Sequence, residues 1–353
     1  MSIRRWLVIG DPQTTLEKLL SVLEHNGALD DEGRLREDVG LVSMGDHFDY
    51  HIDGTEEARL AAAAEGTKVL RWFAGHPRER VRILAGNHDL VRVQELHAVS
   101  DDEFRAIRSG ELSDGDLANH HPTIPTRSCC QRDFSAFTTE QRELVQRLLL
   151  EGRFDLALHG EIDGASCLLT HAGITRRELR ILDAEYERDV RALAARMNEA
   201  FAGAIDAVRS RWEAGETVPL DLAPLHRTGH SGVESGGCLA HRPANPERPG
   251  ADHEWEFHAE FPRRFDPRFM PKGVTQVVGH TQHRKLKKEL RPWVDPRTHD
   301  VEHRLRTVVV DQGVRYVPGV VTAEAHEASL VCTDFALHQA PATVELLEMR
   351  VCG

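Results

Sequence analysis

The chain has 353 residues, 40% of them hydrophobic and 29% charged, which excludes wholesale disorder and allows two domains or one large domain with insertions. Forty-four Lys and Arg stand against 57 Asp and Glu, a net charge of −13, so a long non-specific grip on nucleic acid is excluded for want of a broad basic face. No apolar run approaches the ~20 residues that span a bilayer. The opening Met1-to-Gly10 stretch has two arginines and a short apolar run without a small-residue cleavage site, and is read as a first strand. Six cysteines without CxxC or framework spacing imply a reducing compartment, read as cytoplasmic.

Taken in order, residues 3–10 are an apolar run ending in Gly10-Asp11, and residues 14–25 carry Leu16, Leu19, Leu20 and Leu23 at helical spacing. Residues 39–44 form a second strand ending in Gly45-Asp46, residues 56–74 an Ala- and Leu-rich helix, and residues 81–84 a third strand ending in Gly86-Asn87. This βαβαβ rhythm predicts a mainly parallel sheet, whose ligands bind beyond the carboxyl ends of the strands. Helical patterns follow at 138–150 and 176–214, with strands at 154–159 and 166–171 between them. Residues 215–272 are rich in Pro, Gly, His and Arg without periodicity; Trp255, Phe257, Phe261, Phe265 and Phe269 make this an ordered, loop-rich insertion. Strands return at 274–279, 306–311, 314–317, 329–335 and 344–351, the last ones expected antiparallel.

The strand ends deliver Asp11 with Gln13, Asp46 with Asp49, Asn87 with His88 and Asp89, His171, and His280 with Thr281. Carboxylates, an amide and imidazoles are a mixed oxygen and nitrogen donor set, suited to Mn²⁺, Fe²⁺ or Zn²⁺. Alone, Asp11 reads as a helix cap, Asp46 and Asn87 as turn residues, and His171 and His280 as satisfied core histidines. Five such ends in succession favour a metal centre in which Asp46, on the central of the first three strands, bridges two ions.

Gly10-Asp11-Pro12-Gln13, Gly45-Asp46-His47-Phe48-Asp49, Gly86-Asn87-His88-Asp89, Thr170-His171-Ala172-Gly173 and Gly279-His280-Thr281 resemble, in order, the five blocks of the calcineurin-like metallophosphoesterases. The resemblance covers roughly residues 3–320, with 215–272 weakly covered, and is nearest to the branch of phosphoprotein phosphatases and symmetrical diadenosine tetraphosphatases. It implies a four-layer αββα sandwich of two mixed β-sheets in one catalytic domain, 1–353, with the 215–272 insertion near the site mouth. It implies two divalent ions, Mn²⁺ foremost with Fe, Zn or Mg as alternatives. Asp11, Gln13 and Asp46 would hold the first ion, and Asp46, Asn87, His171 and His280 the second. His88 would be the general acid, oriented by Asp49, with Asn87 also contacting the phosphate.

Two departures matter. Gln13 stands where the family carries His, and a neutral carbonyl oxygen binds its ion more weakly and favours Mn²⁺ or Mg²⁺ over Zn²⁺. Tyr50 stands where the phosphoprotein phosphatases carry a phosphate-clamping Arg; Gly236-to-Pro243 resembles a later block that supplies one, here Arg242. The resemblance therefore implies a phosphomonoesterase acting on a phosphoprotein or small phosphorylated metabolite. A dinucleoside polyphosphate or other nucleotide hydrolase is the first alternative, and a non-catalytic metal- or nucleotide-binding relative the second. No membrane partner and no extended nucleic-acid binding are expected.

The remaining features stay with plainer readings. The basic run Arg284-to-Arg291 is a solvated face before it is a steering patch for anions. Gln282 and His283 lie where other branches place a further ligand. His226, His230, His241, His253 and His258 fit no finger spacing, and His120-His121 and Cys129-Cys130 are read as loop residues.

Overall fold

A computed structural model describes residues 3–50, 54–247, 260–298 and 302–352. Eleven strands form one hydrogen-bonded sheet: β1 (Arg5–Ile9), β2 (Val39–Ser43), β3 (Val81–Leu84), β4 (Phe154–Asp155), β5 (Ala157–Ile162), β6 (Ala165–Thr170), β7 (Val274–Val278), β8 (Arg306–Val310), β9 (Val314–Pro318), β10 (Ala328–Cys332) and β11 (Leu347–Val351). Their spatial order is β9-β8-β10-β7-β6-β5-β11-β1-β2-β3-β4. The two sheets expected from sequence are thus two halves of one sheet folded over on itself. Strand β11 joins them, pairing antiparallel with β1 through Trp6 and Met349 and with β5 through Gly160 and Val351.

Alternation along the strands explains the layers. Trp6, Val8, Val42, Met44 and Leu84 from one half meet Leu158, Cys167, Leu169, Val277 and Val331 from the other in one buried cluster. The intervening Leu7, Ile9, Leu41 and Ile83 face the other way, into a core shared with α1 (Leu16–His25), α2 (Glu56–Ala74), α7 (Thr139–Leu150) and α9 (Val190–Glu213). Helix α9 lies on β5 and β6, and α10 (His283–Glu289) buries Leu286 beside Val308 and Leu330. Helix, sheet, sheet and helix make the four layers.

Within each half the site-bearing strands run parallel: β1–β4 in one, and β6, β7 and β10 in the other. Their carboxyl ends therefore open on one side of the molecule. Threonines cap several helices, Thr15 accepting from Lys18 N–H and Thr138 from Gln141 N–H, so each begins where its loop ends.

Three local expectations change. The 176–214 helical pattern is two helices, α8 (Arg176–Ile181) and α9, separated by a turn in which Asp183 has φ +51°. Strand β10 runs antiparallel to β8 but parallel to β7, because its end must reach the same side as β7. His120-His121 and Cys129-Cys130, read as loop residues, lie in a stretch with four short helices, α3 (Asn87–Leu90), α4 (Asp101–Ser109), α5 (Asp114–His120) and α6 (Arg127–Asp133). They enclose a small core of their own with Leu96, Phe104, Ile107, Leu117, Cys130 and Phe137. His120 thus ends α5, and Cys129 and Cys130 lie buried in α6. Among its described residues the insertion holds two-residue pairings, His226–Arg227 with Gly236–Gly237 and Arg242–Pro243 with Arg264–Phe265, and a short 3-10 turn at Pro267–Phe269. His253, Trp255, Phe257 and His258 fall outside the described residues.

Candidate metal centre and cavity

One cavity of about 900 Å³ opens at the carboxyl ends of the parallel strands, and Asp11, Gln13, Asp46, Asn87, His88 and His280 all line it. Ligand-capable atoms of Asp46, His171 and His280 lie within 4.8 Å of one another. His171 donates from Nδ1 to Met44 O at 2.7 Å, leaving Nε2 beside Asn87 Oδ1 at 3.1 Å and Asp46 Oδ2 at 3.3 Å. His280 is bonded through Nε2 to Ala240 O at 3.0 Å, which leaves Nδ1 for a ligand. Each imidazole is thus oriented by a backbone carbonyl on its far nitrogen, as metal-ligating histidines commonly are.

The carboxylates are aimed in the same manner. His88 N–H donates to Asp46 Oδ1 and His280 N–H to Asp11 Oδ1, both at 2.7 Å. These contacts require bare backbone. A Cβ on Gly86 would stand 2.2 Å from Asp46 Oδ1, and one on Gly279 would stand 2.3 Å from Asp11 Oδ1. Asp46, Asp49 and His280 have φ of 60°, 72° and 61°, left-handed conformations that non-glycine residues adopt at a cost of order 1–3 kcal/mol and that cluster at functional sites. Gln13, which also lines the cavity, donates from Nε2 to Phe48 O at 2.7 Å.

The donor chemistry fits divalent metal. Burial and the neighbouring Asp334 and Asp46 push the Asp11 carboxyl well above its usual range. Burial would neutralise His171, yet Asp46 and Asp11 outweigh it and raise its pKa to about 10. His280 goes the other way, held well below its ordinary value by burial, His171 and Arg242.

Beside this cluster, His88 Nδ1 meets Asp49 Oδ2 at 2.9 Å. Asp49 is itself gripped by Arg92, whose two terminal nitrogens reach both carboxylate oxygens at 2.6 and 2.9 Å, and by Ser135 N–H at 2.9 Å. Burial opposes the charge on Asp49, but Arg92 and His88 outweigh it and bring its pKa down to about 2. His88 is raised above its ordinary value, Asp46 and Asp49 outweighing its burial. Arg92 is wholly buried and absent from the sequence reading; its spacing of four from His88 was the available signal. Asp89 ties the second block to the third, its carboxylate accepting from Asp46 N–H at 2.9 Å, His47 N–H at 3.0 Å and Gly86 N–H at 3.1 Å.

Arg242, Arg284 and Lys285 also line the cavity and make no ion pair among the described residues. Burial and the adjacent Arg263 and Arg264 bring the Arg242 guanidinium down to about 10. Tyr50 is buried in the same wall. Gln282 lines the cavity, whereas His283 turns from it to Tyr316 Oη at 3.0 Å. His226 and His241 are buried, His241 on Gly173 O at 2.9 Å and His226 with its pKa lowered to about 3, chiefly by burial and then by His241. Among the described residues the insertion's histidines form no ligand group.

No protein-family model matches the chain, and no curated protein is significantly similar to it in sequence. Among solved structures, the chain is similar to a cold-active protein-tyrosine phosphatase of a psychrophilic Shewanella species, at 15% identity and a TM-score of 0.43 over 98% of this chain and 75% of that one. A second structure of a cold-active protein tyrosine phosphatase aligns at 15% identity and a TM-score of 0.39, over 98% and 73% of the two chains.

Proposed function

We propose that the chain is a divalent-metal-dependent hydrolase of phosphate esters, foremost a phosphomonoesterase. The reading is carried by the buried His88–Asp49–Arg92 relay and the Asp46, His171 and His280 cluster, of which His88, Asp49, Asp46 and His280 line one cavity. Asp11, Gln13 and Asp46 would hold one ion, and Asp46, Asn87, His171 and His280 the other. Such a pair, when bound, polarises a phosphoryl oxygen and lowers the pKa of a water.

The chain's own residues supply the rest. Asp49, kept ionised by Arg92, fixes the proton of His88 on Nδ1 and favours the doubly protonated ring, so that Nε2 can deliver a proton to the leaving oxygen. Arg242, without a carboxylate partner among the described residues, can take two oxygens of a terminal phosphate. A mere metal or nucleotide binder would have no use for a charged His–Asp–Arg relay. Arg284 and Lys285, further cations on the same cavity, support a second reading in which the substrate is a nucleotide or dinucleoside polyphosphate.

The test strips the protein of metal, restores Mn²⁺, and compares p-nitrophenyl phosphate with its bis-p-nitrophenyl diester. Preference for the monoester is expected. Preference for the diester would move the search to nucleotides, and silence on both with two ions bound would sink the reading as a general phosphomonoesterase.

A further inference from the structure

The segment after His88 presents one face to the cavity. Beyond α3 the chain continues in hydrogen-bonded turns, Val91 N–H donating to Asn87 O at 3.0 Å and Leu96 N–H to Val91 O at 2.9 Å. Spacings of three and four place His88, Val91 and Glu95 on the same side of these turns, and all three line the cavity. Phe134 joins them, its ring edge-on to His88 with 5.9 Å between centroids. His88 would hand its proton to the leaving oxygen, so the part of the cavity that these residues wall is where the leaving group has to lie.

Two observations say what that space would take. The first is buried hydrogen-bonding capacity. Glu95 is 4% exposed and accepts Gly229 N–H on Oε1 at 2.7 Å, which leaves Oε2 for a ligand. Burial pushes its carboxyl up to about 7, against the pull of Gly229 N–H and His88, so near neutrality it holds a proton that it can donate. From the insertion, His226 lines the same cavity at 1% exposure, and its Nδ1 has no hydrogen-bond partner. Buried polar groups are ordinarily paired, and a ligand is the partner this one lacks. The second observation is charge. Arg132, Asp133, Glu234 and Arg263 also line the cavity, and they satisfy one another: Arg132 pairs with Asp133 at 2.6 Å and Glu234 at 2.7 Å, and Arg263 with Glu234 at 2.6 Å. Two cations meet two carboxylates there, which leaves the phosphate to Arg242, Arg284 and Lys285 and offers a charged leaving group no counter-ion of its own.

Building on the reading above, we infer that the cavity beside His88 is a leaving-group subsite in which Glu95 and His226 hydrogen-bond an uncharged group rich in oxygen or nitrogen, the chemistry of a nucleoside or a sugar. Val91, Pro125 and Phe134 supply its apolar wall. A plain phenyl leaving group would fit that wall but leave Glu95 and His226 unpaired, and a site built to hydrogen-bond its ligand discriminates against the analogue that cannot. The substrate class narrows to monoesters of neutral small molecules.

The test gives the Mn²⁺-loaded whole chain four monoesters: adenosine and glucose, each phosphorylated on its primary hydroxyl, phosphocholine and phosphoglycolate. The first two have neutral leaving groups, the third a cationic and the fourth an anionic one. The adenosine or the glucose ester should exceed both charged esters at least tenfold in kcat/KM, and whichever of the two leads assigns the subsite to a nucleoside or to a sugar. Glu95→Leu should erase that lead chiefly by raising KM. Glu95→Gln should retain it, because its carboxamide can still accept Gly229 N–H and donate to the ligand. Equal kcat/KM across the four esters in the parent chain would overturn the subsite independently of any variant's folding. A Glu95→Leu that slows all four in parallel, the mark of a merely structural role, would overturn it too. Turnover of p-nitrophenyl phosphate without a lead for the neutral esters thus refutes the subsite alone, whereas no turnover of any ester refutes the phosphatase reading beneath it.

Discussion

Asp49 touches no candidate metal ligand directly, yet Arg92, His88 and Ser135 all converge on its two oxygens. That makes Arg92 a positioning residue whose loss acts through two others. Arg92→Met should cost about 3–5 kcal/mol of stability by leaving a buried carboxylate undercompensated, read by urea unfolding, and should lower kcat more than it raises KM. His88→Ala should lower kcat ~10²–10⁴-fold with metal content unchanged; loss of metal would make His88 a ligand instead of an acid. The pH dependence follows from sign. Asp49 has a lower pKa folded, about 2, than free, so it stabilises the fold above the free value and loses that contribution as pH falls toward 2. A contribution of order 2 kcal/mol is at stake, and the unfolding midpoints of the parent chain and Asp49→Asn should converge as pH falls from 5 to 2.

The strand-to-loop junctions are where sequence becomes chemistry. Gly86→Ala would push a methyl into Asp46 Oδ1, and we expect it to abolish turnover and paired metal binding while leaving the circular dichroism of the sheet intact. Between elements, Glu95 of the helical segment accepts Gly229 N–H of the insertion at 2.7 Å, and burial raises its pKa to about 7. A carboxyl raised on folding favours its protonated state, so its ionisation erodes stability as pH climbs from its free value through 7. Glu95→Gln should keep the contact and melt higher than the parent chain at pH 8, with no difference at pH 4. These junctions also show what sequence can disclose. Asp11, Asp46, Asn87, His171 and His280 stand out because each follows an apolar run or a glycine that announces a strand end. Asp334, which lines the same cavity, follows the apolar Leu330-Val331-Cys332 in the same fashion, but its neighbours Gly10 and His280 are remote in sequence and only the register of β10 on β7 brings them together. Arg92 was hidden for a related reason: a charged residue in a short turn of helix looks solvated until its partner from β2's loop is in place. Helices α3 to α6 are short, so their common core becomes visible only once they are packed.

Across the whole molecule, the proposed metal binding would share one free energy with folding, because the two halves of the sheet each contribute donors. Removing metal should lower the melting temperature, and Mn²⁺ at a hundredfold excess over Kd should restore about 2.7 kcal/mol per site. A melting curve indifferent to Mn²⁺ would separate the donors from any cation. Strand β11 has a consequence for how the protein is made. It is the strand that bridges β1 and β5, and it is the last of the eleven described strands of the sheet, more than 300 residues after the β1 residues it pairs with. On the ribosome, the edges of β1 and β5 are already exposed while their shared partner is still in the exit tunnel. The nascent chain thus carries two unsatisfied sheet edges until β11 has been made, a window in which edge-to-edge association with other chains competes with closure. Slow translation of residues 340–351 should therefore reduce soluble yield more than the same change at any surface loop.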